Sequence, residues 1–95
     1  GNKQKVSVAK WLGNRSKIYI FDCPTRGIDV IVKAALYQLM VQLKAQGKSI
    51  VMISEELTEL IGMCDRIMIL KDGKLSGTFE RSKELTDHML IQKMV

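Results

Sequence analysis

The sequence predicts an α/β fold, a mostly parallel sheet flanked by helices with an antiparallel hairpin strand near its end. Three observations carry this. Short apolar runs, Ile18-Tyr19-Ile20-Phe21 and Ser49 to Ile53, alternate with helical patterns, the order from which parallel sheets are built. The first run is continuous, which suits a strand covered on both faces. Asp72-Gly73, flanked by Lys71 and Lys74, is a two-residue hairpin signal that returns a strand on its neighbour.

In chain order, Lys3 to Leu12 can form a helix with Val6, Ala9 and Leu12 on one side and Gly13 as its stop. Asn14-Arg15-Ser16 is turn material, and a strand over 17–21 follows. Beyond Pro24 and Gly27, Asp29 is a natural N-cap for a helix reaching Gln46, because Val32, Leu36, Leu39 and Leu43 trace one helical face. Gly47 supplies the residue just past the end of that helix. Ser49 to Ile53 reads as a second buried strand, Glu55 to Ile61 as a short helix ended by Gly62, and Arg66 to Leu70 as a third strand. After the hairpin turn, Leu75, Gly77 and Phe79 alternate with Ser76 and Thr78 as a strand. Thr86 caps a last helix with Met89, Leu90 and Met94 as its apolar contacts. Three parallel strands and one antiparallel partner are expected.

The chain has 95 residues, the size of one small domain or a piece of a larger one. A hydrophobic share of 46% supports a globular core, and 26% charged residues argue against disorder. The longest apolar runs are too short to span a bilayer, and no signal peptide is read. The net charge of +5 raises the question of an acidic partner, but the basic residues are scattered and few aromatics accompany them. A solvated surface explains the charge, and no nucleic-acid partner is expected. Cys23 and Cys64 form no CxxC pair, so neither a disulfide framework nor a zinc site is suggested. Cys64 is read as a small buried hydrophobe.

The chemistry points to the end of the first strand. Ligands of parallel sheets bind beyond the carboxyl ends of strands, and Asp22 stands there. Its carboxylate could hold Mg²⁺ beside nucleotide phosphates. The bland alternative is a turn acid after an ordinary strand.

Neighbouring residues sharpen this reading. Gly1-Asn2-Lys3-Gln4-Lys5, followed by Val6 to Leu12, resembles the end of the ABC signature motif and the helix it opens, in the variant typical of sugar-import ATPases. Ile18 to Asp22 looks like the Walker B strand, and Thr25-Arg26-Gly27-Ile28-Asp29 like the D-loop of that group. Met52 to Leu57 lies where the switch segment falls, and Asp65 to Lys74 is similar to the strand pair that follows it. From Gly1 to about Phe79 the chain resembles the second, C-terminal nucleotide-binding half of a ribose/galactose-type sugar ABC transporter ATP-binding protein. Residues 1–95 are accordingly read as the C-terminal portion of such a domain, a partial ABC domain related to the P-loop NTPases.

This resemblance implies ATP and Mg²⁺ as ligands of the intact transporter. It implies Gly1, Asn2 and Gln4 as signature contacts, Asp22 as the metal-directed acid, and Asp29 as a link between two ATP sites. The site is expected to be hydrolytically degenerate. Cys23 stands where a Glu normally polarises the attacking water, and a thiol is a poor substitute. Glu55 stands where a His normally meets the γ-phosphate, and a carboxylate would repel that group. No GxxxxGK[ST] loop is found, so the chain is expected to bind ATP weakly or not at all by itself, to expose a sheet edge, and to be an excised segment. The implied partners are the N-terminal nucleotide-binding half, membrane permease subunits and, indirectly, a periplasmic or extracellular sugar-binding protein. The implied location is the cytoplasmic face of the bacterial cell membrane. The competing readings are a soluble ABC ATPase outside transport and a non-enzymatic interaction or nucleic-acid-binding module.

Overall fold

A computed structural model describes residues 17–95. The expected helix over Lys3 to Leu12 lies outside the described residues. The chain divides into two compact units, one ending at Ile53 and the other covering Ser54–Val95.

In the first unit, β1 (Ile18–Asp22) and β2 (Ser49–Ile53) run parallel, in register from Ile18 opposite Ser49 to Asp22 opposite Ile53. Backbone bonds extend the ladder at both ends. The Ser49 N–H donates to the Lys17 carbonyl at 2.9 Å, and the Cys23 N–H to the Ile53 carbonyl at 2.7 Å. Parallel strands need a long crossover, and α1 (Val30–Ala45) supplies it. Asp29 caps that helix as expected, its Oδ1 accepting from the Val32 N–H at 2.9 Å. At the other end Gly47 adopts φ +83°. The Gly47 N–H donates to the Lys44 carbonyl and the Lys48 N–H to the Leu43 carbonyl, both at 3.0 Å. This is the Schellman pattern, and it satisfies carbonyls that a helix end leaves unpaired.

The core of this unit is Tyr19 and Phe21 of β1 with Val32, Leu39, Met40 and Leu43 of α1. The two rings stack with centroids 6.5 Å apart. Leu36, expected among the core positions, is half-buried. The larger correction concerns the strands, which were expected to be covered on both faces. Ile18 and Ile20 are 63% and 65% exposed, and Val51 and Ile53 are 47% and 51% exposed. Side chains alternate along a strand and registered neighbours share a face, so these four residues lie on one open side. A sheet of two strands with one crossover helix covers only its other side.

In the second unit, β3 (Arg66–Lys71) and β4 (Lys74–Glu80) form an antiparallel hairpin. Asp72 and Gly73 have φ of +52° and +76°, the two left-handed residues a type I′ turn requires. Ile69 faces Gly77 but Leu70 faces Leu75, so Ser76 is an extra residue, a β-bulge. The bulge corrects the expected alternation, because Leu75 is exposed while Gly77 and Phe79 are half-buried. The third strand does not join the parallel sheet. The described strands form two separate two-stranded sheets. A two-residue turn pairs β3 with β4 at small loop-closure cost, whereas a third parallel strand needs a long-range contact.

Helix α2 (Leu57–Met63) begins two residues later than expected and runs through Gly62 rather than ending there. Its end is held by Arg81, whose guanidinium donates to the Gly62 carbonyl at 3.1 Å and the Cys64 carbonyl at 3.5 Å. Those partners offset the penalty of about 1 kcal/mol that a helical glycine carries. Helix α3 (Asp87–Met94) starts at Thr86, whose hydroxyl accepts from the Met89 N–H at 3.4 Å. Leu90 is fully buried, but Met89 and Met94 are exposed, contrary to expectation. The Ser76 hydroxyl donates to the Lys93 carbonyl at 2.6 Å. A Cβ on Gly77 would lie 2.8 Å from Lys93 Cγ, so the bulge and its glycine let this helix approach β4.

Candidate functional site

The first unit presents its polar groups at the carboxyl end of β1. Asp22 is the last residue of the strand and is exposed. The chain then turns sharply at Cys23, which has φ +47°, a left-handed conformation uncommon outside glycine, Asn and Asp. The Arg26 N–H donates to the Cys23 carbonyl at 3.2 Å, closing a turn. The Arg26 guanidinium also donates to Cys23 Sγ at 3.3 Å. Thr25 is buried within this loop, and Gly27 takes φ +72° before Asp29 opens α1.

Asp22 and Cys23 are therefore brought to one strand end. The half-buried Cys23 sulfur receives a hydrogen bond from a cation, an arrangement unlike a carboxylate poised to take a proton from water. Asp29 carries a structural duty as the α1 cap. Glu55 belongs to the second unit and is exposed. Gly1, Asn2 and Gln4 lie outside the described residues.

Among the described residues no three His, Cys, Asp or Glu side chains converge as a metal site. One exposed carboxylate at a strand end fits Mg²⁺ all the same, since that ion keeps several waters and takes one or two carboxylates beside phosphate oxygens. Asp22 is the residue that could hold it. A shallow hollow of about 280 Å³ along α1 is lined by Tyr37, Gln38, Val41 and Gln42. No charged group lines it, so it does not suit phosphate.

Around Glu55 the second unit is tightly ordered. The Ser54 hydroxyl donates to Glu59 Oε2 at 2.5 Å and accepts from the Glu56 N–H at 3.0 Å. Glu59 is buried. Cys64, expected to be buried, is half-buried. Burial pushes its thiol above the usual range, the carboxylates of Asp65 and Glu59 add to this, and Arg81 opposes it. The Arg26 to Cys23 contact, the buried Thr25 and the Ser54–Glu59 pair were not read from the sequence. For the last, Ser54 and Glu59 stand five residues apart, outside the S-x-x-E spacing of a capping box, so that signal could not have found the pair.

A parallel βαβ unit with an acid at its strand end, followed by a helix and an antiparallel hairpin, defines a small α/β protein. Relatives give this class a particular branch. The chain is 48% identical over 92 residues, 97% of its length, to a ribose import ATP-binding protein of Rhizobium meliloti (strain 1021). It is 51% identical over 80 residues, 84% of its length, to one of Burkholderia thailandensis, and 49% identical over 83 residues, 87% of its length, to one of Rubrobacter xylanophilus. It spans 18%, 16% and 17% of the length of these three relatives. No family model matches the chain. The chain is homologous to a segment of the sugar-importer ABC ATP-binding proteins.

Proposed function

We propose that this chain is part of the ATP-binding subunit that energises import of a sugar of the ribose class. The single observation that carries this is identity near one half to ribose import ATP-binding proteins across most of the chain. In this reading residues 1–95 are the C-terminal portion of a nucleotide-binding domain, and Asp22 acts on Mg²⁺ in the intact transporter. The site built on β1 is hydrolytically degenerate. Cys23 stands at the position of the water-polarising acid, and its sulfur is engaged by Arg26. Glu55 stands at the position of the phosphate-binding His and adds negative charge where a donor is needed.

The constructive role lies in trans. Gly1, Asn2 and Gln4, at the start of the helix that the sequence predicts, complete an ATP site carried by an N-terminal nucleotide-binding half, the start of such a helix offering unpaired amides and a positive dipole end. Asp29 links the two sites. The remaining partners are permease subunits and, through them, a sugar-binding protein, with the chain at the cytoplasmic face of the cell membrane. No helix of the described residues is long and apolar enough to cross a membrane.

The test is Mg-ATP titration calorimetry on the chain alone and with the N-terminal half added. No binding alone, with tighter binding or faster hydrolysis in the mixture, is expected. Micromolar binding by the chain alone would mean that it carries a phosphate site of its own despite lacking a GxxxxGK[ST] loop, and no effect of mixing would overturn the trans role.

A further inference from the structure

The turn between β2 and α2 carries Glu55, and the groups beside it hold it in a specific way. Ser54 follows the last residue of β2. Its hydroxyl has one proton to donate, given to Glu59 Oε2, and it accepts the Glu56 N–H. That N–H is one of the donors that the start of a helix leaves without an intrahelical partner. Glu59 lies within the first turn of α2 and is only 7% exposed. Glu56, at the cap position itself, makes no side-chain capping bond. The turn is thus ordered from inside the helix rather than by its own cap residue. A buried carboxylate orients a hydroxyl, and the hydroxyl orients the backbone on the far side of Glu55. Glu55 itself stays exposed on this clasp.

We propose that Glu59 is a positioning residue, whose carboxylate acts through Ser54 to hold Glu55 at a set place on the turn. Its importance for nucleotide rests on the reading of Glu55 given above, but the clasp itself does not. An acceptor at position 59 is what the device requires, so Gln should serve where Ala does not. Likewise Thr at position 54 keeps the hydroxyl that Ala removes. Because Ser54 and Glu59 act as one unit, removing either should remove most of the effect, and removing both should add little.

The experiment is amide hydrogen exchange on the 95-residue chain, comparing wild type with Ser54→Ala, Glu59→Ala, Glu59→Gln and the double Ala variant. The Glu56 amide should exchange roughly tenfold faster in both single Ala variants, the loss expected for one backbone-to-hydroxyl hydrogen bond. The double variant should be no faster than either, and Glu59→Gln should stay near wild type. The Cys64 amide, which donates to the Leu60 carbonyl at the far end of α2, reports whether the helix survives and should be unchanged. Unaltered exchange at Glu56, or additive effects of the two Ala changes, would overturn the proposal. Equal acceleration at Glu56 and Cys64 would also overturn it, since that would mean Glu59 only stabilises the helix. A second arm follows the Glu55 resonance on adding Mg-ATP with the N-terminal half present. If the exchange pattern is as expected but this resonance does not respond, the clasp stands and the nucleotide reading of Glu55 falls.

Discussion

The two units of this chain close their sheets in opposite ways. In the first, two parallel strands are joined by the 16-residue helix α1, and their pairing is a contact between distant parts of the sequence. In the second, two antiparallel strands meet through Asp72-Gly73, and the pairing is local. The first leaves Ile18, Ile20, Val51 and Ile53 open on one side. The open residues of β3 and β4 are mixed, with Arg66, Thr78 and Glu80 beside Met68, Leu70 and Leu75. The difference teaches that a continuous apolar run describes the surroundings a strand is suited to, while a turn signal describes a structure the strand can make alone. The first unit has the composition of a sheet centre and only the cover of a small βαβ unit.

The sharpest way to break the comparison is to empty each core. Leu43 and Leu90 are both fully buried, one in each unit. Leu43→Ala and Leu90→Ala should each destabilise their own unit by about 2–5 kcal/mol. Amide exchange in β1 for the first and in β3 for the second checks this. Next come the backbone devices. Gly47→Ala and Gly73→Ala place a side chain at φ +83° and +76°, and each should cost about 1–2 kcal/mol by urea denaturation. Asp29→Ala removes a 2.9 Å cap and should cost about 1 kcal/mol. Thr86→Ala should cost less, since its cap bond is 3.4 Å long.

The open side of the first unit allows a subtler test. Ile20→Thr and Val51→Thr should change the stability of this chain by about 0.5 kcal/mol or less, as exposed substitutions usually do. They should also reduce self-association measured by sedimentation. A loss of several kcal/mol in the chain alone would show that this side is covered after all. The smallest effect concerns Cys64. Its raised thiol should make alkylation by iodoacetamide at pH 8 slower than that of a free cysteine. A folded-state value above the unfolded one gives stability fully present below the unfolded value and lost as pH rises through the folded one. The small contribution of Cys64 should therefore fade on the alkaline side of pH 9.0, the ordinary thiol value. Cys64→Ala should flatten that part of the stability curve.

Much of the fold was legible because its signals are local. Asp29 before Val32, Leu36, Leu39 and Leu43 marked a helix start and face, and the cap bond is there. Gly47 marked its end, and the Schellman bonds are there. Asp72-Gly73 marked the hairpin. What was misread depends on partners elsewhere in the chain. Ser76 gives no local sign of a bulge, whose reason is the approach of Lys93. Gly62 reads as a helix stop, yet Arg81, far along the sequence, donates to the carbonyls of Gly62 itself and of Cys64 beyond it. At the candidate site, Asp22, Cys23 and Asp29 were visible as residue types in order. The guanidinium on the Cys23 sulfur and the buried Glu59 behind Ser54 were not, because both arise from how a loop folds back.

By itself the sequence determined the elements, their order, the hairpin turn, the α1 caps and the kinship with a segment of sugar-importer ATP-binding proteins. Each of these follows from residues within a turn or two of one another, or from identity along the chain. Tertiary structure alone decided that the third apolar run pairs with the fourth strand instead of joining the first two. It decided which side of β1 is covered, and that a buried carboxylate holds the turn bearing Glu55. Those outcomes depend on which surfaces are present to compete for hydrogen bonds and apolar contact, and no stretch of residues carries that information alone.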